Sequence, residues 1–150
     1  MEFLVRSAPA PTLVAAGREL AAAESHASRD PATFALIGSG QSMAPLYANG
    51  TAIVVREQSF FTLRPGMAVV YRSQRGHYVA HSLVERLRDG WLAAGVNNAE
   101  PDEELVTPGN LIGVIKAAYA STDSPFRAEI VARLGRADDP SRNARMASRQ

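Results

Sequence analysis

A chain of 150 residues and 16.0 kDa suits one domain, and at this size roughly two thirds of the unfolded surface can be buried. Sixteen Lys plus Arg balance fifteen Asp plus Glu, and Lys116 is the only lysine, so no concentrated basic face marks a nucleic-acid partner. Hydrophobic residues at 46% and charged residues at 21% describe a folding chain, and zero cysteines exclude a disulfide scaffold, a zinc–thiolate site and a cysteine nucleophile.

No run approaches the ~18 apolar residues that cross a bilayer; the most apolar early stretch, residues 11–23, is interrupted by Arg18 and Glu19. Glu2, a single base at Arg6 and prolines at 9 and 11 do not make a signal peptide. With Met1 as the start, the reading places the protein in the cytoplasm. An upstream extension encoding an apolar helix would make it membrane-associated instead.

In chain order, Phe3–Val5 reads as a short apolar strand or arm, followed by a stiff connector through Pro9 and Pro11. Leu13, Ala16, Leu20 and Ala23 recur at helical spacing behind Thr12 as N-cap, which predicts a helix ending before Asp30-Pro31. Short β-branched runs then alternate with Gly, Pro, Asn and Asp: Thr33–Ile37, Thr51–Arg56, Met67–Arg72, His77–Arg86, Gly90–Ala94 and Leu111–Tyr119. This pattern predicts a mainly β, mostly antiparallel domain over residues 32–120, behind an N-terminal arm and helix at 1–31. A last helix is expected within 121–135, with Ser124 as cap, Pro125 in first position, Phe126, Ile130, Val131 and Leu134 on one side, and Gly135 as terminator. Residues 136–150 hold four arginines, two aspartates and almost no large apolar groups, so a disordered tail is expected.

The densest constellation is Gly38-Ser39-Gly40-Gln41-Ser42-Met43-Ala44-Pro45, between two apolar strands. Small residues at 38–40 let backbone N–H groups turn toward a substrate carbonyl, and Pro45 restricts the chain beyond the serine. The plain alternative is a Gly/Ser turn. A serine hydroxyl needs a base: Lys116 lies 74 residues past Ser42, whereas His81 lies 39 past it in a strand where Val79, His81 and Leu83 share a face. Burial there favours the neutral imidazole that a general base requires, although a structural core histidine fits the same pattern. His26 and His77 read as surface residues, and the three histidines lack metal-ligand spacing. The segment Gly95-Val96-Asn97-Asn98-Ala99-Glu100-Pro101-Asp102 is loop by composition. Asp102 is either a turn-forming residue or the acid that holds the second nitrogen of His81. Asn49-Gly50-Thr51 is a formal glycosylation sequon, read more simply as a turn.

Taken in order over about residues 34–119, these segments resemble the signal peptidase and LexA-like superfamily, the S24/S26 peptidases. Residues 40–45 resemble its Ser-Met-x-Pro nucleophile box and Arg64-Pro65-Gly66-Met67-Ala68-Val69-Val70 the Pro-Gly-Asp-Val-Val strand. Val79-Ala80-His81-Ser82-Leu83-Val84 and Gly95-Val96-Asn97-Asn98 through Asp102 look like the branch whose base is histidine rather than lysine.

The resemblance implies a serine endopeptidase without a cofactor: Ser42 as nucleophile, His81 as base and Asp102 as orienting acid. It also implies Gly40, Gln41, Met43 and Pro45 against the substrate, a peptide or protein cut after small residues. Three acidic positions of the family's Gly-Asp pairs are here Thr51, Met67 and Val96, which raises the alternative of a non-catalytic interaction module. Gly40 stands where signal peptidases carry an oxyanion-stabilising serine, leaving that task to the Ser42 amide. Ala16-Gly17 resembles the site at which the LexA branch cuts itself, so a self-cleaving regulator is the other alternative. The membrane anchor of signal peptidases is not matched, and membrane contact is left open.

Overall fold

The computed structural model describes residues 8–137 apart from 41 and 45, with side chains of the last helix described through Ala132. Phe3–Val5 and the tail from 138 onward lie outside the described residues. The elements are β1 (Thr12–Val14), α1 (Glu19–Ala27), β2 (Thr33–Ile37), β3 (Ala52–Arg56), a 3-10 turn (Phe60–Thr62), β4 (Ala68–Arg72), β5 (Tyr78–Leu87), β6 (Gly90–Ala94), β7 (Leu111–Ser121) and α2 (Arg127–Ala137). Seven strands make one sheet in the order β2-β3-β7-β4-β5-β6; β1 runs parallel to β7 and every other pairing is antiparallel.

Period-2 alternation explains the near-continuous apolar runs of the central strands, because both faces are covered. In β3, Ile53 and Val55 join a cluster with Met43, Leu46, Tyr47, Val70 and Ile115, while Ala52 and Val54 face Ala23 and Ala27 of α1. In β4, Ala68 and Val70 enter the first cluster; Val69 and Tyr71 enter a second one with Leu83, Trp91, Val106 and Val114. β4 thus divides the core, and the site described below lies where the two clusters meet.

Three expectations are corrected. The first helix does not begin at Leu13 behind a Thr12 cap: residues 12–14 pair with Tyr119–Ser121, Gly17 takes φ +88°, and the helix starts at Glu19. Ladder bonds to an open strand outweigh the helical spacing, and the left-handed glycine breaks the pattern. Gly135 does not end the last helix, which runs to Ala137, and Val131 is half-exposed although Ile130 is buried. His26 is not a plain surface residue: its Nδ1 lies 2.8 Å from the Tyr119 hydroxyl.

Candidate active site

Ser42 sits in a turn between β2 and β3 that is tied down on several sides. The Gly38 N–H donates to the Thr51 carbonyl at 2.8 Å and the Gly50 N–H to the Gly38 carbonyl at 2.9 Å, closing the base of the loop. Gly40, at φ +90°, donates its N–H to Asn49 Oδ1 at 3.0 Å. From the other side, the Asn97 N–H donates to the Ser42 carbonyl at 2.7 Å and the Val96 N–H to the Met43 sulfur at 3.4 Å. Gly95 is required here: a Cβ at that position would lie 2.6 Å from the Ser42 carbonyl oxygen and 2.9 Å from its Cβ. The Asn-rich loop and the serine turn therefore pack backbone against backbone.

His81 lies opposite Val69 in the β4–β5 register and is buried. Its Nε2 stands 2.9 Å from Ser42 Oγ and its Nδ1 2.7 Å from Asp102 Oδ2. Asp102 is anchored by its own N–H, which donates to the Ala93 carbonyl at 2.8 Å beside the end of β6. An ionised carboxylate only accepts, so Nδ1 carries the proton and Nε2 presents its lone pair to the serine hydroxyl. The same Asp102 Oδ2 also accepts from the Tyr71 hydroxyl at 2.7 Å. Burial, and next the hydrogen bond to Asp102, push the Tyr71 phenol well above the usual tyrosine range, so it stays a donor.

The serine and imidazole open onto a cleft of about 420 Å³. Its walls come from Leu36 and Ile37 of β2, Met43, Tyr47, Ile53 and Val70 of the first core cluster, and Tyr78–His81 of β5. Among the described lining residues there is no Asp, Glu, Lys or Arg. No described residue accepts from the Ser42 amide, whereas the Gly40 amide is occupied by Asn49.

Ser42, His81 and Asp102 are thus brought into one hydrogen-bonded line, with Gly40 and Met43 lining the adjoining cleft. Gln41 and Pro45 lie outside the described residues. Lys116 does not line the cleft: it is the extra residue of a β-bulge in β7, between the Val54–Ala117 and Val55–Ile115 pairs, and is exposed. Thr51, Met67 and Val96 make no side-chain hydrogen bond to the line among the described residues. Sequence reasoning gave Tyr71 no role and read Gly95 and Asn49 only as turn residues. A tyrosine within the aliphatic run of β4 was a usable signal, since a buried hydroxyl needs a partner.

The fold is a mainly antiparallel β domain in which a turn serine meets a buried histidine. The model of the S24-like peptidase family matches residues 7–116, well over half of the sequence, and the chain belongs to that family. A comparison with curated proteins returns no match. No helix among the described residues is long and apolar enough to cross a membrane.

Proposed function

We propose that the chain is a serine endopeptidase in which Ser42 is the nucleophile, His81 the general base and Asp102 the residue that orients it. The observation that carries this reading is the continuous line Ser42 Oγ, His81 Nε2, His81 Nδ1 and Asp102 Oδ2, at 2.9 and 2.7 Å, at the mouth of an uncharged cleft. Ser42 Oγ attacks the scissile carbonyl carbon as its proton passes to His81 Nε2, and the carbonyl electron pair moves onto oxygen. No described residue accepts from the Ser42 N–H, which makes it a donor for that oxyanion. Collapse of the tetrahedral species breaks the C–N bond, and His81 returns the proton to the leaving amine. Water, deprotonated by His81, then releases the acyl group from Ser42.

Two open strand edges flank the cleft. β2 ends the sheet on one side, and β6 pairs with β5 only from Ser82 onward, leaving Tyr78–His81 without an outer neighbour among the described strands. An extended peptide can add backbone hydrogen bonds to such edges. The uncharged, largely apolar lining favours uncharged side chains next to the cut, and the preference for small ones rests on the family resemblance.

The test is mass spectrometry of a diverse peptide mixture incubated with the protein and with Ser42→Ala. Cuts after small residues in the first tube alone are expected; equal cutting in both, or none in either, overturns the reading. Intact-protein mass in the same tubes examines the self-cleaving alternative. One observation favours that alternative: Ala16-Gly17 is an exposed turn rather than part of a helix. A wild-type chain shortened after Ala16 would establish it.

A further inference from the structure

We infer that Tyr71 is a positioning residue for this site, its hydroxyl sharing one Asp102 oxygen with His81 and so setting both the direction and the effective charge of the carboxylate that the imidazole meets. The inference rests on the Ser42/His81/Asp102 reading. Tyr71 lies in β4, is only 3% exposed, and points among Val69, Leu83 and Trp91, where an unpartnered hydroxyl would be costly. Its partner is the carboxylate oxygen that His81 Nδ1 also meets, each at 2.7 Å. Tyr71 does not line the cleft. Its effect on a bound peptide therefore passes entirely through Asp102 and His81.

Two consequences follow. Two donors on one oxygen restrict rotation of the carboxylate and hold it toward the imidazole, which keeps Nε2 aimed at Ser42. The Tyr71 hydrogen bond also withdraws negative charge from the oxygen facing His81, so the imidazolium is favoured less than it would be by an unshared carboxylate. The groups facing His81 are Ser42 on the serine turn, Asp102 on the loop after β6 and Tyr71 on β4. Glu104 acts on Tyr71 from the same loop, its carboxylate engaged by the Gln74 N–H at 3.0 and 3.1 Å.

The experiment combines an NMR titration of the His81 ring with the pH profile of peptide cleavage, in the wild type, Tyr71→Phe and Tyr119→Phe. The last removes a hydroxyl that bonds His26, away from the site. In Tyr71→Phe the His81 titration midpoint and the acid limb of kcat/KM are expected to move up together by about half a unit to one unit. At pH 6.5, kcat is expected to fall about tenfold with KM unchanged, as for loss of a hydrogen bond to a charged group. Tyr119→Phe is expected to match the wild type in both. A His81 midpoint unmoved in Tyr71→Phe, or moved equally in Tyr119→Phe, overturns the inference whatever the activity. Absence of peptide cleavage in the wild type instead counts against the peptidase reading and leaves the NMR arm to decide the role of Tyr71. Should Tyr71→Phe not fold, the wild type decides: a slowly exchanging Tyr71 hydroxyl proton that shifts as His81 titrates is the expected signal, and its failure to respond overturns the inference.

Discussion

Gly95 bears on the nucleophile although it carries no chemistry. Any side chain there would meet the Ser42 carbonyl oxygen at 2.6 Å, so the serine turn and the loop bearing Asp102 can approach only through a glycine. Gly95→Ala is expected to lower the melting temperature and to displace Ser42, with peptide cleavage reduced by at least about tenfold, since small misplacements of a reacting group are costly; thermal unfolding and cleavage rates on the same sample check both. Asp102→Asn leaves the fold intact but offers His81 Nδ1 an amide that can donate, which favours the wrong tautomer. Its kcat/KM is expected to fall about 10³-fold, read from peptide hydrolysis at neutral pH. Lys116→Ala, at the exposed bulge of β7, is expected to leave cleavage unchanged, which distinguishes a histidine base from a lysine base. His81 stood out as a candidate in the sequence because one lysine and three histidines leave few candidate bases, and Ser42 because it sits in a turn of small residues followed by Pro45. Tyr71 did not, because its role depends on a carboxylate 31 residues away.

Among the elements, the strands were legible nearly to the residue, with Thr33–Ile37 and Gly90–Ala94 expected and observed alike. Their β-branched runs end at Gly, Pro or Asn, so local chemistry and tertiary pairing agree. The first helix was not, because Leu13 and Val14 satisfy either a helical spacing or a strand, and only the open side of β7 at Tyr119–Ser121 decides between them. What remains, α1, carries its buried face in Ala23 and Ala27, and Ala23 is fully buried against Ala52 and Val54 of β3. Small residues let the helix lie close to the sheet. Ala23→Leu is therefore expected to destabilise the fold by about 1–3 kcal/mol through overpacking, measured by denaturant unfolding, without changing the geometry of the distant serine turn.

For the whole molecule, two groups give stability a pH dependence of opposite sign. The Tyr71 phenol is raised in the folded state above its unfolded value of 10.0, so its contribution is complete below pH 10 and is lost as pH climbs beyond it toward the folded value. Asp30 is lowered below 3.8, first by the Ala32 N–H and then by Arg56, whose Nε lies 2.9 Å from Oδ2; its contribution is present above that value and fades as pH falls. Asp30 is exposed to solvent, so its share is small and screened by salt. Unfolding followed from pH 3 to 11 is expected to show a plateau with both limbs falling. Tyr71→Phe is expected to flatten the alkaline limb alone, and Asp30→Asn to soften the acid limb alone.

The sequence by itself determined the mainly β fold class and the bounds of most strands, and it singled out Ser42, His81 and Asp102 as candidates, because residue type, period and turn chemistry act over a few neighbours and leave their mark in the chain. Tertiary structure decided whether Thr12–Val14 would be strand or helix, which carboxylate oxygen His81 would meet, and that Tyr71 would meet it too. Those outcomes depend on pairings across tens of residues, between β1 and β7 and between β4 and the loop after β6. The closure of the sheet supplied the distance, carrying His81 Nε2 to within 2.9 Å of the Ser42 hydroxyl.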